Sequence, residues 1–388
     1  MPDKAGILTV MPDRAILAPV NTAHGKPGLK LLPKQIMSQS AADDVYDFFS
    51  RIDGHDAIID VRSPSEYAED HIPGAINCPV LNDEERARVG TLYKQVNSFE
   101  AKKVGAALVA KNIAYHIEAQ FLDRPKQWKP LIYCWRGGNR SGAMAHILSK
   151  IGWQAGQLEG GYKKYRRQVI EAMEQAPARY SFNVICGTTG SGKSRLLQVL
   201  ADEGAQVLDL EQLAAHRGSV LGNIPAEAQP SQKCFESCLW EKLRHCDPSR
   251  TIFVESESKK VGRLRVPEAL IDRIRQSPCT AVALSRQNRM RLLKEDYAHF
   301  VADPLWLNER LSRLTALHGH DKIARWHELA LTGHMETLID ELLAEHYDPL
   351  YERSIHRNFI HAEEARTLEL PDIAESDFRA VAQELMAD

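Results

Sequence analysis

Short apolar runs alternate with amphipathic stretches along most of the chain. AIIDV (57–61), PLIY (130–133) and NVIC (183–186) have the length and composition of buried strands. AADDVYDFFSRI and RSGAMAHILSKIG have the three- and four-residue apolar spacing of helices, and the second stretch ends at Gly152. Strands that alternate with helices in this way predict the α/β fold class.

The chain has 388 residues, too many for one ordinary core, and it divides into four predicted segments. Residues 1–36 are rich in Pro, Gly and Lys and predict an N-terminal extension. The stretch EAMEQAPARYS (171–181) has the composition of a linker, so we expect one α/β domain over 37–172 and a second over 173–300. The apolar spacing over 301–388 predicts a helical C-terminal region.

Composition limits the classes of function. The net charge of -3 excludes a generally basic nucleic-acid coat, although local clusters of cations remain able to bind phosphates. No apolar run approaches the roughly eighteen residues that span a bilayer, so we expect no membrane partner. The seven cysteines have no framework spacing, which predicts reduced thiols and a cytoplasmic protein. Cys234, Cys238, His245 and Cys246 match no familiar zinc pattern, and we expect no zinc site.

The second domain contains the motif GTTGSGKS, which fits the P-loop pattern at every fixed position and lies between an apolar run and a helical stretch. Its backbone amides and helix N-terminus would hold phosphate oxygens. Lys193 is expected to reach the terminal phosphates and to act in catalysis, and Ser194 to bind Mg²⁺. The predicted phosphate-binding residues are Gly187, Thr188, Thr189, Gly190, Ser191, Gly192, Lys193 and Ser194. The motif leaves open whether the ligand is ATP, GTP or an organic diphosphate.

Two further predicted strands end in acids. QVLDLE presents Asp209, and TIFVESES presents Glu255 and Glu257. We predict that carboxylates at these three positions hold Mg²⁺ directly or through water, with Glu255 the first choice. The alternative is that these acids only end their strands in solvent.

Three clusters of cations predict a phosphate-rich partner, and RNA is the expected one. Tyr162 and Tyr165 would be available to stack on unpaired bases. Taken singly, each cluster has the alternative interpretation of a solvated helix face. The clusters are Lys163, Lys164, Arg166 and Arg167; Lys259, Lys260, Arg263 and Arg265; and Arg286, Arg289, Arg291 and Lys294.

Cys134 lies between a predicted strand and a predicted helix in LIYCWRGGNRSG. The helix N-terminus, with Arg136 and Arg140 nearby, favours the thiolate form, and we predict catalytic roles for all three residues. Five residues separate Cys134 from Arg140, the length of a phosphatase loop that cradles a tetrahedral oxyanion. The spacing therefore leaves open a buried structural thiol, a phosphatase-type nucleophile and a carrier of sulfur or selenium.

Residues 57–165 resemble a rhodanese domain through IIDVRSPSEYAEDHIPGAINCPV, YCWRGGNRSG and LEGGYKKY. This domain is followed along the chain by GTTGSGKS, VLDLEQLAAHRGSVLG and ESESKKVGRLRVPE. A chain with this order of motifs resembles the tRNA 2-selenouridine synthase family, and the resemblance extends from about residue 40 to the C-terminal helices. The resemblance implies a rhodanese-like α/β domain followed by a P-loop NTPase-like α/β domain and a helical C-terminal region.

The same resemblance implies an enzyme that acts on the wobble 2-thiouridine in the anticodon stem-loop of tRNA. Geranyl diphosphate would alkylate the sulfur, and selenium from selenophosphate would then replace the S-geranyl group. The P-loop and Mg²⁺ would stabilise the departing diphosphate, and Cys134 would serve selenation. Two alternatives are an ATP-dependent kinase or nucleotidase fused to a rhodanese sulfurtransferase, and a non-catalytic module that binds tRNA or protein.

Overall fold

The computed structural model describes residues 39–225 and 227–387. The predicted N-terminal extension over 1–36 lies outside the described residues. Among those described, no helix is both long and apolar enough to cross a membrane.

The first domain has one parallel sheet in its described part, with strand order β2-β1-β3-β4. Its strands are β1 (Ala57–Asp60), β2 (Ile76–Asn77), β3 (Pro130–Tyr133) and β4 (Gly156–Gln157). Its helices are α1 (Gln39–Asp53), α2 (Pro64–Glu69), α3 (Asp83–Gln95), α4 (Ser98–His116), α5 (Asn139–Ile151) and α6 (Gly161–Gln175), with a π-helical turn at Ile117–Phe121. All four residues of β3 are buried, as expected for a parallel strand covered on both faces.

The second domain contains a five-stranded parallel sheet, with strand order β11-β10-β5-β7-β6 among the described residues. Its strands, together with a short antiparallel hairpin of β8 and β9, are β5 (Phe182–Cys186), β6 (Gln206–Leu208), β7 (Ile252–Glu255), β8 (Lys260–Val261), β9 (Leu264–Arg265), β10 (Cys279–Leu284) and β11 (Arg366–Leu370). Its helices are α7 (Lys193–Asp202), α8 (Leu210–Ala214), α9 (Gln232–Arg244), α10 (Glu268–Arg275) and α11 (Arg286–Asp296).

The strand order places β5 at a topological switch point. The chain leaves β5 towards β6 and β7 on one side, and it later returns to β10 on the other side. Ligands of open α/β sheets bind in the crevice outside the carboxyl ends of the strands at such a point. The loop that follows β5 carries the P-loop motif, so fold and motif indicate the same place.

The C-terminal region is mainly helical, as predicted, and its last part returns to the sheet of the second domain. Its helices are α12 (Ala298–Ala302), α13 (Pro304–Leu311), α14 (Thr315–His318), α15 (His320–Leu331), α16 (Met335–Leu342), α17 (Asp348–Asn358) and α18 (Glu375–Ala387), with a 3₁₀ turn at Ser312–Leu314 and a π-helical turn at Leu343–Tyr347. Strand β11 pairs with β10, and a β-carbon on Gly192 would collide with the Phe378 ring of α18. The C-terminal region is therefore part of the P-loop domain's core.

The first and second domains also share a core. The ring centroid of Phe49 in α1 lies 6.0 Å from that of Tyr165 in α6 and 5.3 Å from that of Trp240 in α9. The predicted linker over 171–181 forms the end of α6 and a 3₁₀ turn at Ala176–Arg179. Ala172, Met173 and Ala176 are buried in the shared core, and this packing gives the segment its helical structure although its composition resembles a linker.

Candidate active sites

The P-loop motif forms a tight turn between β5 and α7. Gly190 and Gly192 have φ angles of 79° and 87°, in the left-handed region that glycine adopts without steric cost. Because α7 begins at Lys193, the amides of its first turn face the cleft above the loop without helical partners. This is the backbone geometry that the sequence predicted for an anion site.

Lys193 and Ser194 both make hydrogen bonds at the loop. Lys193 Nζ donates to the carbonyl oxygen of Gly187 at 2.7 Å, so the ammonium lies across the motif. Ser194 Oγ donates to Oε2 of Glu211 at 2.9 Å. Both residues line the cleft above the loop, which also contains Glu255 and Glu257. The structure thus brings the predicted lysine, the predicted Mg²⁺ ligand and the predicted strand-end acid together.

Of the three acids predicted to hold Mg²⁺, Glu255 and Glu257 line the cleft. Glu255 is the last residue of β7. Its Oε1 accepts the amides of Leu210 and Glu211, at 2.7 and 2.9 Å, and its Oε2 is buried without a partner among the described residues. Asp209 does not line the cleft, and its prediction needs correction. Its carboxylate caps α8 by accepting the amide of Gln212 at 2.7 Å. Glu211, two residues later, supplies the carboxylate that sequence reasoning assigned to Asp209.

The carboxyl groups in the cleft share a strained electrostatic environment. Burial, followed by repulsion from Asp209, Glu211 and Glu257, raises the pKa of Glu255 well above its usual range. Burial and the neighbouring Glu211 raise the pKa of Glu257 to about 8. Burial also raises the pKa of Glu211, although Lys193 opposes the shift. The cleft is therefore suited to a cation or to carboxyl groups that retain a proton.

The donors in the cleft fit a hard divalent cation. A hydroxyl, carboxylates and the orphaned Oε2 of Glu255 are the oxygen ligands that Mg²⁺ prefers. Among the described residues, no group of three or more His, Cys, Asp or Glu side chains is arranged as a metal-binding cluster. Magnesium that is bound mainly through substrate phosphates and water needs no such cluster.

The C-terminal region holds the P-loop from outside. The Tyr351 hydroxyl accepts the amide of Gly187 at 2.6 Å. Arg289, in α11, is buried and donates to the carbonyl oxygen of Thr189 at 2.7 Å while it pairs with Asp348 at 2.6 Å. The prediction that Arg289 contacts RNA is therefore wrong, because its guanidinium is enclosed between the P-loop and the C-terminal region.

An apolar pocket adjoins the P-loop cleft. Thr189, Ser219, Leu293, Tyr297 and Tyr347 line both spaces. The rest of its wall consists mainly of apolar side chains from the C-terminal region, namely Phe300, Val301, Leu307, Met335, Leu338, Ile339, Leu342 and Leu343, together with Leu221 and Lys294. No sequence motif indicated this pocket, because its wall comes from segments that are distant along the chain.

Cys134 lies at the carboxyl end of β3 and is 2% exposed. Ser141 Oγ donates to its sulfur at 3.3 Å, and Gln157 Nε2 donates to that hydroxyl at 2.9 Å. The amide of Tyr162 donates to the carbonyl oxygen of Cys134 at 2.9 Å, and this contact fixes the loop against α6. A β-carbon on Gly161 would collide with the same carbonyl oxygen, so the glycine motif permits the close approach.

A small pocket lies over Cys134, and neither predicted arginine lines it. Its wall consists of Cys134, Gly137, Gly138, Ser141, Gln157, Leu158, Glu159, Gly160 and Gly161. Arg136 is exposed, and Arg140 pairs with Glu66 of α2 at 3.1 Å. Burial alone would raise the pKa of Glu66, but Arg140 and the hydrogen bonds outweigh it and lower that pKa. The arginine of the predicted C-x5-R cradle is thus held away from the cysteine pocket.

In the first basic cluster, one cation is fully engaged inside the protein. Arg166 pairs with Glu236 of α9 and donates to the carbonyl oxygen of Lys233 at 3.2 Å, so it connects the two domains. Lys164 forms a long ion pair with Glu159, and Arg167 forms one with Glu171. Lys163 is exposed, and its side chain has no ion pair among the described residues.

Tyr162 and Tyr165 are not available to stack on bases. Both rings are buried, and the Tyr162 hydroxyl donates to Asp70 at 2.7 Å. The Arg62 guanidinium lies 4.0 Å from the centroid of the Tyr162 ring. Their prediction as RNA contacts is wrong because α6 turns this face into the shared core.

The other two clusters differ in how freely their cations reach solvent. Arg286, Arg291 and Lys294 pair with Asp340, Asp372 and Glu336. In the second cluster, Lys259 pairs with Glu268 at 3.2 Å. The side chains of Lys260 and Arg265 have no ion pair among the described residues, and the Arg263 guanidinium donates to the backbone carbonyl oxygens of Gln229 and Pro230. The second cluster therefore retains the most available positive charge.

Two family models match the chain in the order that the folds suggest. The rhodanese-like domain matches residues 42–168, and the tRNA 2-selenouridine synthase AAA domain matches residues 180–318. The predicted order of a rhodanese-like domain and a P-loop domain is therefore confirmed.

Related proteins extend this similarity over most of the chain. A tRNA 2-selenouridine synthase from Alcanivorax borkumensis is 33% identical over 348 residues, which cover 81% of this chain and 94% of that protein. One from Aeromonas salmonicida is 32% identical over 76% of this chain and 86% of that protein. One from Nitrosomonas europaea is 38% identical, over 62% of this chain and 63% of that protein. The chain therefore belongs to the tRNA 2-selenouridine synthase family.

Proposed function

We propose that this protein converts the wobble 2-thiouridine of tRNA to 2-selenouridine in two steps. Geranyl diphosphate first alkylates the sulfur in the P-loop cleft. Selenium from selenophosphate then replaces the S-geranyl group with the help of the rhodanese-like domain. Family membership supports the overall conversion, and one observation carries the first step: an apolar pocket adjoins the phosphate-binding loop.

The apolar pocket favours an isoprenoid diphosphate over a nucleotide. A nucleotide would direct a ribose and a base away from its phosphates, and both need polar partners. The wall beyond Leu293 and Tyr297 is instead built from side chains such as Phe300, Leu307 and Leu338. Burial of a ten-carbon chain there gains about 0.8 kcal/mol for each CH₂ group removed from water. This argues against the kinase alternative that the P-loop motif alone left open.

The first step forms one bond and breaks another. The sulfur of the 2-thiouridine forms a bond to C1 of the geranyl group, the bond from C1 to the diphosphate oxygen breaks, and the N3 proton of the base passes to solvent. Lys193 and the amides of the P-loop would stabilise the departing diphosphate, which gains charge in the transition state. Ser194 with Glu255 or Glu211 would hold Mg²⁺, whose chemistry is to neutralise the diphosphate. No phosphoryl group is transferred.

The second step belongs to the cysteine pocket. The selenium of selenophosphate forms a bond to C2 of the base, and the bond from C2 to the geranylated sulfur breaks, so that geranyl thiol leaves with one proton. Water takes the phosphoryl group as phosphate when the P–Se bond breaks, and N3 of the base regains a proton from solvent. Cys134 is the nucleophilic side chain of the pocket, and Ser141 and Gln157 hold it in place. The partner that supplies the selenium is a source of selenophosphate, and we expect the reaction to occur in the cytoplasm.

Nucleoside mass spectrometry tests both steps. Transfer RNA bearing 2-thiouridine is incubated with the protein, Mg²⁺ and geranyl diphosphate, with and without selenophosphate. We expect a geranylated nucleoside without selenophosphate and a selenonucleoside with it. Unchanged tRNA in both mixtures, with the protein folded and with tight Mg²⁺-dependent ATP binding, would support the kinase and sulfurtransferase alternative instead.

A further inference from the structure

A short loop over residues 216–222 separates the P-loop cleft from a third depression. The loop is held closed by the Arg217 amide, which donates to the carbonyl oxygen of Gly222 at 2.8 Å, and by an antiparallel bridge between His216 and Asn223. Ser219 lines the P-loop cleft, the apolar pocket and this third depression, so all three spaces meet at one small residue.

The third depression, called the basic pocket below, is lined by three cations. Lys260 and Arg313 have exposed side chains without an ion pair among the described residues. The guanidinium of Arg263 donates to two backbone carbonyl oxygens there. Among the described residues that line the basic pocket, none is Asp or Glu. Three cations without a carboxylate partner make this pocket a site for anions.

A buried histidine of the basic pocket also needs a hydrogen-bond partner, such as a hydroxyl group. His216 lines the basic pocket and is 4% exposed, and its Nδ1 is buried without a hydrogen-bond partner in the described structure. A buried polar atom of this kind needs a partner from a ligand or from water. A ribose 2′-hydroxyl both donates and accepts, so it satisfies either tautomer of a neutral imidazole.

We propose that the basic pocket binds the ribose and the flanking phosphates of the target nucleotide in single-stranded RNA. This inference rests on the proposed function. The reacting C1 of geranyl diphosphate joins the chain to the diphosphate, so it lies where the apolar pocket meets the cleft, beside Ser219. The base must bring its sulfur to the same point. From the basic pocket it passes the small Gly218 and Ser219 to enter the cleft.

The salt dependence of tRNA binding tests the cations. The Kd for tRNA bearing 2-thiouridine is measured over a series of NaCl concentrations for the wild type and for the double variant Lys260→Ala/Arg313→Ala. Each lost phosphate contact reduces the slope of log Kd against log salt by about 1, so we expect a reduction of about 2. The matched control is Lys150→Ala/Arg357→Ala, which removes two exposed cations that do not line the basic pocket.

A second measurement tests His216. An anticodon stem-loop with a 2′-deoxy target nucleotide should bind the wild type about three- to tenfold more weakly than the ribose form. The same change should have no further effect on binding to His216→Ala, because the interaction is already absent. An unchanged salt slope in the double variant, or equal 2′-deoxy effects with and without His216, would overturn the inference.

Geranyl diphosphate binding separates this inference from the proposed function. The double variant should bind geranyl diphosphate as the wild type does. If the wild type neither binds geranyl diphosphate nor geranylates tRNA, the proposed function fails. If the wild type does both and the double variant keeps the wild-type Kd and salt slope for tRNA, only the assignment of the basic pocket fails.

Discussion

Lys193 Nζ donates a hydrogen bond to the carbonyl oxygen of Gly187, 2.7 Å away, at the first residue of its own motif. The ammonium thus lies across the loop that would receive the proposed diphosphate, whose oxygens would offer it charged acceptors in place of this carbonyl oxygen. Charge-assisted hydrogen bonds to phosphate are stronger than those to a neutral carbonyl. We therefore expect the proposed diphosphate to draw Lys193 Nζ from the carbonyl oxygen of Gly187 to its own oxygens.

The Lys193→Ala variant should lose geranylation. Removal of one donor that stabilises a developing oxyanion lowers kcat by roughly 10²–10³. The measurement is the rate at which S-geranyl nucleoside forms in tRNA bearing 2-thiouridine. Lys150→Ala, at an exposed lysine of α5 in the first domain, is the control and should keep the wild-type rate. A wild-type rate of geranylation in Lys193→Ala would show that the reaction does not depend on the P-loop lysine.

Cys134→Ala should separate the two steps. The sulfur lies in the pocket of the first domain, beside Ser141, whereas the phosphate-binding loop lies in the second domain. We expect the variant to form the geranylated nucleoside at the wild-type rate and to form no selenonucleoside. Cys246→Ala, at another free thiol, should leave both steps intact. Equal loss of both steps in Cys134→Ala would contradict the division of labour.

The Ile339→Phe variant tests whether the apolar pocket holds the isoprenoid chain. Ile339 is half-buried and lines the pocket, so a larger side chain there would occupy space that the proposed isoprenoid needs. We expect KM for geranyl diphosphate to rise about tenfold, which corresponds to about 1.4 kcal/mol. KM for the shorter dimethylallyl diphosphate should change less. Leu331→Phe, at an exposed position outside the pocket, is the control, and equal effects on both substrates would exclude the pocket as the isoprenoid site.

Features encoded by adjacent residues could be predicted from the sequence. The P-loop follows from one contiguous motif, and β5 and α7 flank it as expected. The strand that leads to Cys134 and the helix that ends at Gly152 follow from local apolar spacing and a left-handed C-cap. The sequence alone could not distinguish Asp209 as a helix cap from Asp209 as a metal ligand, since both roles place an acid just after a strand.

Features that depend on distant partners could not be predicted. Arg289 is buried because Asp348, in α17, and the carbonyl oxygen of Thr189 meet it in the folded chain. The apolar pocket combines the 216–222 loop with residues of α11, α13 and α16. Its residues follow ordinary helical spacing, so the pattern predicts buried faces and does not show that these faces leave a cavity.

Burial of Glu257 should make stability depend on pH. Burial and the neighbouring Glu211 raise the pKa of Glu257 from 4.5 to about 8, so the folded protein retains a proton that the unfolded chain releases. The favourable contribution of Glu257 to the free energy of unfolding is fully present below pH 4.5 and is lost as pH rises to about 8. The side chain in Glu257→Gln stays neutral at every pH. The free energy of unfolding of the wild type minus that of the variant should therefore fall across this window, by at most about 1.4 kcal/mol per pH unit.

The measurement is urea unfolding of both proteins at several pH values, with EDTA to remove divalent cations. Glu268→Gln, at an exposed glutamate, is the control and should give a difference from the wild type that does not vary in this window. Unfolding free energies of the wild type and Glu257→Gln that run parallel with pH would exclude a retained proton at Glu257.

Arg289→Ala should destabilise the protein far more than the loss of its neighbour Arg291. Removal of Arg289 leaves Asp348 partly buried without its main partner and the carbonyl oxygen of Thr189 without two donated hydrogen bonds. Breaking a buried pair in this way costs about 3–5 kcal/mol. Arg291 pairs with Asp372 at the surface, where both side chains are 51% exposed, so Arg291→Ala should cost about 0–1 kcal/mol.

Urea unfolding gives both free energies, and tRNA binding supplies a second comparison. Because Arg289 is enclosed by the P-loop and α17, its loss should not change the salt slope of tRNA binding as the loss of a phosphate contact would. A normal free energy of unfolding together with a reduced salt slope in Arg289→Ala would instead mean that Arg289 leaves its buried position and contacts RNA. The two readouts therefore decide between a residue that holds the P-loop and one that binds the substrate.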